Sequence, residues 1–289
     1  MKIAALILVH RYPEQVSLLV DTLLEHPSFE VFVHVDAKSP EVYTALKKIY
    51  STTPRVHLIT KRFKVYWGSY GQIKATMALM QAALNIRPDY AFLISGQDFP
   101  TQPLRAFVAF LEENKGTDFM SYFPLPDPQW ADGGLSRLQY YHFNSQHFPR
   151  IVRRINGLVH RLQKTMGYKR TIKGNFFGGS NWFNITGKSL TEVCTTLREH
   201  PSLLRPYRFT LCADELFTQS LLLNLPNPRK TIASDLRMID WGTGPEYPRI
   251  WRKEDYDRLI HEKDRFFARK FDQQVDKDIL ILLKKHVSN

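Results

Sequence analysis

The chain has 289 residues, 43% of them hydrophobic, which is enough for one large domain or two small ones. It lacks the run of about 18 uninterrupted apolar residues that a membrane-spanning helix requires. The net charge of +12 favours an anionic partner, such as nucleic acid, a membrane surface or a phosphorylated small molecule, without choosing among them. The two cysteines, Cys194 and Cys212, have no metal-type spacing, which predicts a reducing compartment, with a single disulfide as the alternative.

Apolar runs alternate with helical patterns in the first half of the chain. The apolar start, MKIAALILVH, has no cleavage-site pattern and is interpreted as the first strand, not as a signal peptide. Alternating strands and helices predict an α/β fold, with a mainly parallel, twisted sheet flanked by helices. The expected elements are strands over 3–9, 31–35, 56–59 and 90–94, and helices after Pro13, over 40–50 and over 73–84.

Four side chains are expected where these strands end, namely His10, Asp36, Trp67 (after Val65-Tyr66) and Asp98. The carboxyl ends of parallel strands share one crevice, which is where open α/β sheets bind ligands. Asp36 is placed to hydrogen-bond a ribose or a base edge, with capping of the following helix as the alternative.

Asp98 closes the sequence Ser95-Gly96-Gln97-Asp98, and Pro100 and Pro103 follow it. Proline ends a strand and fits the first turn of a helix, so the sequence predicts a carboxylate in a strand-end loop. An ordinary loop between strand and helix is the alternative interpretation.

The pattern changes in the second half. Residues 122–150 are rich in proline, glycine and aromatics, which indicates an ordered loop facing a ligand or a satellite hydrophobic cluster. Residues 150–173 combine apolar positions at helical spacing with a dense set of cations. Such a basic amphipathic helix is typical of contact with an anionic membrane, and an ordinary helix with its stripe on the core is the alternative.

Two further segments carry polar groups. Paired glycines at 178–179 allow close approach of the backbone to a ligand, and the residues after them are expected to form a strand. Asp214 and Glu215 open a helix, where capping is the default for Asp214. If that helix start faces the crevice, Glu215 can act as a general base. A strand ending near Asp240, a loop with Arg249 and a C-terminal docking helix over 279–283 complete the chain.

Eight motifs in order resemble one family, the core-2/I-branching β-1,6-N-acetylglucosaminyltransferases of glycosyltransferase family 14, which also includes the peptide O-xylosyltransferases. The resemblance covers about residues 3 to 272 and is weakest over 122–173. The motifs are LVHRYPEQVSLLV, HVDAKS, VYWGSYGQIKA, LISGQDFPTQP, GGSNWF, ADELFTQSLL, IDW and FFARKFD.

The resemblance implies a GT-A-type glycosyltransferase fold, with a nucleotide-sugar-binding half (1–120) and an acceptor-binding and catalytic half (121–289). It also implies an inverting transfer from a UDP-sugar, with UDP-N-acetylglucosamine as the favoured donor, without a metal ion. No Asp-x-Asp metal motif stands at Ser-Gly-Gln-Asp. Family members neutralise the leaving diphosphate with basic side chains near the C-terminal end of the chain. Those positions match Lys270 and Arg249, and the neighbouring Arg269 and Arg252 are the alternatives.

The remaining roles follow residue by residue from the same resemblance. Glu215 matches the catalytic base, although the family's proline before the acidic pair is Ala213 here. Trp241 matches a sugar-binding aromatic, but Thr243 stands where a second aromatic is expected, which puts the acceptor in doubt. Donor-nucleotide positions are Val9, His10, Asp36, Trp67, Ser95 and Asp98, and the acceptor or sugar positions are Ser180, Trp182, Asp214 and Trp241.

The chain also departs from eukaryotic members, which begin with a membrane anchor and carry several cysteines. It is therefore similar to a bacterial, cytoplasmic relative that decorates a lipid-linked or surface-polysaccharide precursor, with residues 150–173 against the inner membrane face. Nucleic acid is not expected as a partner, because the cations belong to no recognisable reading motif. The alternatives are a metal-dependent transferase using Asp98, a xylosyl- or glucosyltransferase, and a basic nucleic-acid- or sugar-binding protein without turnover.

Overall fold

The computed structural model describes residues 1–143 and 150–288, and for 150–154 the backbone alone. Within those residues the main sheet has seven strands in the order β10-β6-β9-β4-β1-β2-β3, and β9 is its single antiparallel strand. Those strands are β1 (Ile3–Val9), β2 (Phe29–Val35), β3 (Val56–Leu58), β4 (Tyr90–Ser95), β6 (Asp118–Met120), β9 (Phe183–Thr186) and β10 (Thr231–Ile232). The predicted fold class, α/β with a mostly parallel sheet flanked by helices, is confirmed.

Two small sheets accompany the main one. Strand β12 pairs in parallel with β11 and antiparallel with β5, and β7 pairs antiparallel with β8. Their bounds are β5 (Asp98–Pro100), β7 (Phe123–Pro124), β8 (Phe177–Gly178), β11 (Arg237–Ile239) and β12 (Phe267–Arg269). The three-stranded sheet brings the late FFARKF motif back to the end of β4, across about 170 residues of sequence.

The helices follow the strands, and short 3₁₀ turns connect several of them. Pro13 and Pro40 occupy the first turns of the first two helices, as the fixed φ of proline favours. In the described residues the helices are α1 (Pro13–Leu24), α2 (Pro40–Tyr50), α3 (Tyr70–Ala83), α4 (Leu104–Glu113), α5 (Ser136–Gln139), α6 (Arg150–Thr165), α7 (Gly187–Glu199), α8 (Asp214–Leu223), α9 (Tyr256–His261) and α10 (Asp278–Val287).

The sheet separates two hydrophobic clusters, which explains why its strands are apolar on both faces. Along β1, Ile3, Ala5 and Ile7 pack into one cluster with α1, α4 and α10. Ala4 and Leu6 point into the other, with α3, α7 and α8. Because successive strand side chains alternate between faces, a strand covered on both sides needs apolar residues throughout.

Several sequence expectations need correction. No strand includes Val65 and Tyr66, so Trp67 lies in a loop and not at a strand end. Asp98 does not lie in an open loop. It begins strand β5, pairs with Arg269 of β12 across the small sheet, and is 1% exposed. Helix α6 spans Arg150–Thr165, so the rest of the basic segment, 166–173, follows the helix.

Helix α6 also presents its apolar residues to solvent. Ile155, Leu158, Leu162 and Met166 are 49–78% exposed, so the interpretation with the stripe on the core is wrong for these positions. The side chains of Ile151, Arg153 and Arg154 lie outside the described residues, as does the part of the aromatic segment over 144–149.

Candidate active site

The ends of β1, β2 and β4 form the floor of the candidate site. Val9 is buried at the end of β1, and its carbonyl accepts the amide N–H of Asp36 at 2.8 Å. The Asp36 carboxylate accepts from the Lys38 amide at 2.8 Å and from the Val65 amide at 3.4 Å. The loop that contains Trp67 is therefore held against the end of β2, and Trp67 itself is 61% exposed.

Asp98 lies in a buried network below this floor. Its Oδ2 accepts from the Ser95 amide (2.7 Å), the Ser95 hydroxyl (2.5 Å) and the Arg269 guanidinium (3.0 Å). Oδ1 is buried without a hydrogen-bond partner in the described part of the chain. The arginine neutralises a carboxylate that would be costly to bury alone.

Trp182 lies beside two guanidinium groups. Those of Arg269 and Arg237 lie 4.6 and 5.7 Å from its ring centroid, within cation–π range. Arg237 is 4% exposed, and burial lowers its pKa. Its guanidinium also donates to the Asp235 carbonyl at 2.8 Å, while Asp235 Oδ2 accepts the Ser180 hydroxyl at 2.6 Å. Two predicted sugar-binding residues, Ser180 and Trp182, thus share one network with Asp98.

A group of positive charges gathers around Lys270. Burial, and then the charges of Arg11 and Arg269, lower the pKa of the Lys270 ammonium. No carboxylate of the described residues forms a salt bridge with it, whereas Arg11 and Arg269 are paired with Asp272 (2.9 Å) and Asp98. Desolvation first, then Arg11 and Arg269, lowers the pKa of His10 to about 4, so the ring is neutral at pH 7. Such a site favours an anion, which would relieve the repulsion.

Arg249 and Arg252 are engaged elsewhere. The Arg249 guanidinium makes two hydrogen bonds with Asp255, at 2.9 and 3.2 Å, and Arg252 pairs with Glu246 at 2.8 Å. Each hydrogen bond raises the pKa of the arginine that donates it. The backbone of Arg249 still lies close to Lys270, because the Lys270 amide donates to the Arg249 carbonyl at 3.3 Å.

Glu215 lies in the first turn of helix α8. Its carboxylate pairs with Arg137 at 2.5 Å, and the side chain is 35% exposed. The Arg137 guanidinium is stacked 3.7 Å from the ring centroid of Trp130. The Glu215 carbonyl accepts the Gly179 amide at 3.0 Å, so the paired glycines lie directly against the helix start.

Asp214 does not cap this helix. The helix start has no side-chain capping bond, and Asp214 Oδ1 is buried without a partner among the described residues. Burial, followed by the charge of Glu215, raises the pKa of Asp214 to about 7. Trp241 lies beyond the end of β11 and is 64% exposed, and the neighbouring Asp240 carbonyl accepts the Arg249 amide at 2.8 Å.

Sequence reasoning missed several residues of this site. Arg137 lies in the aromatic segment over 122–150, which contains none of the eight motifs. Asp235 and Arg237 lie just before the IDW motif and belong to no motif themselves. Arg11 had a usable signal, since it directly follows His10 at the end of β1. Among the described residues, no cluster of three or more His, Cys, Asp or Glu side chains is arranged to hold a metal ion. Nor does any described helix have the length and apolar content needed to cross a bilayer.

Comparisons with known proteins point to one family. The family model described as Core-2/I-Branching enzyme matches residues 3–262. Xylosyltransferase 2 of Mus musculus is 25% identical over 99% of this chain, and xylosyltransferase oxt of Drosophila pseudoobscura pseudoobscura is 24% identical over 90%. The chain spans only 34% and 30% of the length of those two relatives.

A solved structure, mannose-1-phosphate geranyltransferase from Thermus thermophilus, superposes with a TM-score of 0.34 and 12% identity, covering 81% of this chain and 75% of that one. The family model covers nearly the whole chain, including the strand ends, the paired glycines and the start of α8. The chain therefore belongs to the Core-2/I-Branching enzyme family.

Proposed function

We propose that this chain transfers a sugar from a UDP-sugar to a hydroxyl of a glycan acceptor, with inversion and without a metal ion. The observation that carries the proposal is the Lys270 ammonium, which has no salt bridge among the described residues and lies within a cluster of positive charges. It carries weight because the chain belongs to this family of transferases. The negative charge that develops on the leaving diphosphate is stabilised by cations already in place. Fixed cations are usually the largest catalytic contribution in such sites.

In this mechanism Glu215 accepts the proton of the acceptor hydroxyl as that oxygen attacks the anomeric carbon. The hydroxyl attacks from the face opposite the diphosphate, so the bond to the sugar forms as the bond to the nucleotide breaks. Because the reaction is a single displacement, a second, nucleophilic carboxylate is not required. Trp241 and Trp182 would lie against sugar rings, and Ser180 and Asp214 would complete the acceptor site.

The nucleotide would bind at the strand ends. Asp36 would accept hydrogen bonds from the ribose or the base, and the exposed Trp67 ring would stack on the ligand. Val9, His10, Ser95 and Asp98 would shape the floor. The division into a donor half (1–120) and an acceptor half (121–289) is part of this proposal.

Metal independence is supported by the partners of Asp98. Arg269 is 3.0 Å from the oxygen that also accepts two hydrogen bonds from Ser95. A divalent cation on that carboxylate would meet a guanidinium rather than further acidic ligands. The alternative, a metal-dependent transferase using Asp98, requires Arg269 to move away.

The proposed donor sugar is N-acetylglucosamine, with xylose and glucose as the alternatives. The family resemblance suggests the first, and the names of the relatives favour the second. A panel of UDP-sugars, scored for transfer and slow hydrolysis with and without EDTA, tests both points. We expect turnover of one donor and no inhibition by EDTA. Inhibition that manganese reverses would select the metal-dependent alternative, and UDP-sugar binding without turnover would select a sugar-binding protein.

Lys270→Gln tests the diphosphate site. We expect a loss of about 10²-fold in kcat, as for removal of one stabilising donor elsewhere. Arg252→Gln is the matched control, because that arginine already pairs with Glu246. A larger loss in Arg252→Gln than in Lys270→Gln would move the diphosphate role to Arg252.

Contact with an anionic membrane through residues 150–173 remains part of the proposal. Four apolar side chains of this segment are about half exposed or more, beside the exposed cations Arg161 and Lys169. Each basic residue near an anionic bilayer contributes about 1 kcal/mol. Two free cysteines fit a bacterial, cytoplasmic enzyme acting on a lipid-linked or surface-polysaccharide precursor at the inner face.

Co-sedimentation with anionic liposomes tests this contact. We expect binding at low salt that weakens at high salt, and Leu158→Glu should abolish it. No sedimentation at low salt would end the membrane proposal without touching the catalytic one.

A further inference from the structure

A groove of about 690 Å³ lies between strand β3 and helices α3 and α7, outside the candidate active site. None of the predicted donor, catalytic or acceptor residues is among the described residues that line it. Its volume falls within the roughly 300–1,000 Å³ of pockets that bind small molecules. Its floor is apolar, and buried side chains of Phe32, Met80 and Leu197 form part of it.

The flexible side chains of the groove suit a chain-like ligand. Met77, Met80 and Cys194 line it together with aliphatic residues from β3 and its following loop. Thioethers adapt to irregular apolar shapes better than branched side chains do. Burial raises the pKa of the Cys194 thiol to about 11, so this group stays neutral and apolar in character. The apolar part of the lining therefore offers contact to hydrocarbon, while His57, Thr60, Gln81 and Asn85 place polar groups beside it.

The charge of the rim is one-sided. Lys61, Lys74 and Arg198 line the groove, and no aspartate or glutamate of the described chain does. The ammonium groups of Lys61 and Lys74 lie 5.9 and 5.2 Å from the same ring, that of Phe63. Among the described residues, the lysines that form salt bridges are Lys38, Lys164 and Lys284, so neither Lys61 nor Lys74 is one of them. Both ammonium groups therefore lie within about 6 Å of one ring, and an anion bound beside that ring would be attracted to both.

We propose that this groove binds a single-chain anionic amphiphile, with its hydrocarbon chain on the apolar floor and its anionic group between Lys61 and Lys74. A carboxylate or a phosphate meets this requirement equally, since lysine binds either as a point charge. A free fatty acid and a phosphate-ended lipid are therefore the two sources of the same chemistry.

The groove shares a loop with the nucleotide side of the active site. Lys61 and Phe63 line the groove, while the amide of Val65 donates to Asp36 and the carbonyl of Phe63 accepts from Ala37. A ligand between Lys61 and Lys74 thus contacts the segment that carries Trp67. The binding proposal itself does not depend on the proposed transferase activity.

Methionine methyl NMR tests the proposal directly. The chain has six methionines, of which Met77 and Met80 line the groove and Met238 packs in the hydrophobic cluster on the opposite face of the sheet. The protein would be labelled with ¹³C at the methionine methyls, assigned by single Met→Leu substitutions, and titrated with dodecyl phosphate and with dodecanoate below their micelle concentrations. We expect saturable shifts of the Met77 and Met80 signals and none of Met238.

Charge variants complete the design. Lys61→Gln/Lys74→Gln should weaken binding by about tenfold or more, the usual range for lost charged hydrogen bonds, while Lys61→Arg/Lys74→Arg should retain it. Lys284→Gln, on α10 and outside the groove, is the matched control. Binding of dodecyl phosphate alone, of dodecanoate alone or of both supports the proposal and identifies the anionic group. No shift of Met77 and Met80, a shift of Met238 alone, or equal binding of dodecanol would overturn it.

Discussion

Two carboxylate–arginine pairs lie in different regions of the molecule and have different surroundings. In the strand-end floor, Asp98 is fully buried against Arg269 at 3.0 Å. At the start of α8, Glu215 is 35% exposed and pairs with Arg137 at 2.5 Å. The buried carboxylate is committed to its partners, whereas the exposed one can exchange its arginine for a substrate. Burial, not charge, separates a structural pair from a candidate catalytic one.

The largest effect is expected at the exposed pair. Glu215→Gln keeps the size of the side chain and removes the proton acceptor, so kcat should fall by about 10²–10⁴-fold, the usual contribution of a general base. UDP binding, measured by calorimetry, should remain. Glu192→Gln is the matched control, since that glutamate is 40% exposed and pairs with Arg229 at 2.6 Å. Turnover of the Glu215 variant near that of wild type would remove the assignment of the base.

The next effect is expected at the buried pair, and it concerns stability. Asp98→Asn leaves the Arg269 charge without its partner, and breaking a buried pair costs about 3–5 kcal/mol. Arg137→Gln, at the exposed pair, should cost about 0–1 kcal/mol, as surface ion pairs do. Urea unfolding of both variants measures the difference. Equal losses would mean that the two regions do not differ as their burial suggests.

The same contrast shows what the sequence can and cannot predict. Strands β1, β2 and β4 and helix α2 followed from their apolar pattern and prolines, because those signals are local. The partners of Asp98 and Glu215 lie 171 and 78 residues away, and nothing local announces them. The sequence predicted Asp98 in an open loop, but its carboxylate is buried because it pairs with the distant Arg269. Likewise, the spacing of α6 predicted a helix, but periodicity alone could not show that its apolar face is exposed.

The last effect is expected at Asp214, the neighbour of Glu215, and it depends on pH. Burial and the Glu215 charge raise its pKa to about 7 in the folded protein, while an unfolded aspartate ionises near pH ~4. Between those values the folded state binds more protons, so this group lowers stability as the pH rises. Asp214→Asn removes that slope. Relative to wild type, the variant should therefore gain roughly 3–4 kcal/mol of unfolding free energy between about pH 4 and pH 7.

The histidines oppose this slope but do not obscure it. Burial lowers the pKa of His10 and His34 to about 4, so their contribution to stability is lost as the pH falls from about 6.5. Both proteins share that loss, so it cancels in the difference between Asp214→Asn and wild type. Urea unfolding at several pH values measures this difference. A constant difference would mean that Asp214 is ionised and solvated in the folded protein, so that burial does not hold its proton at the start of α8.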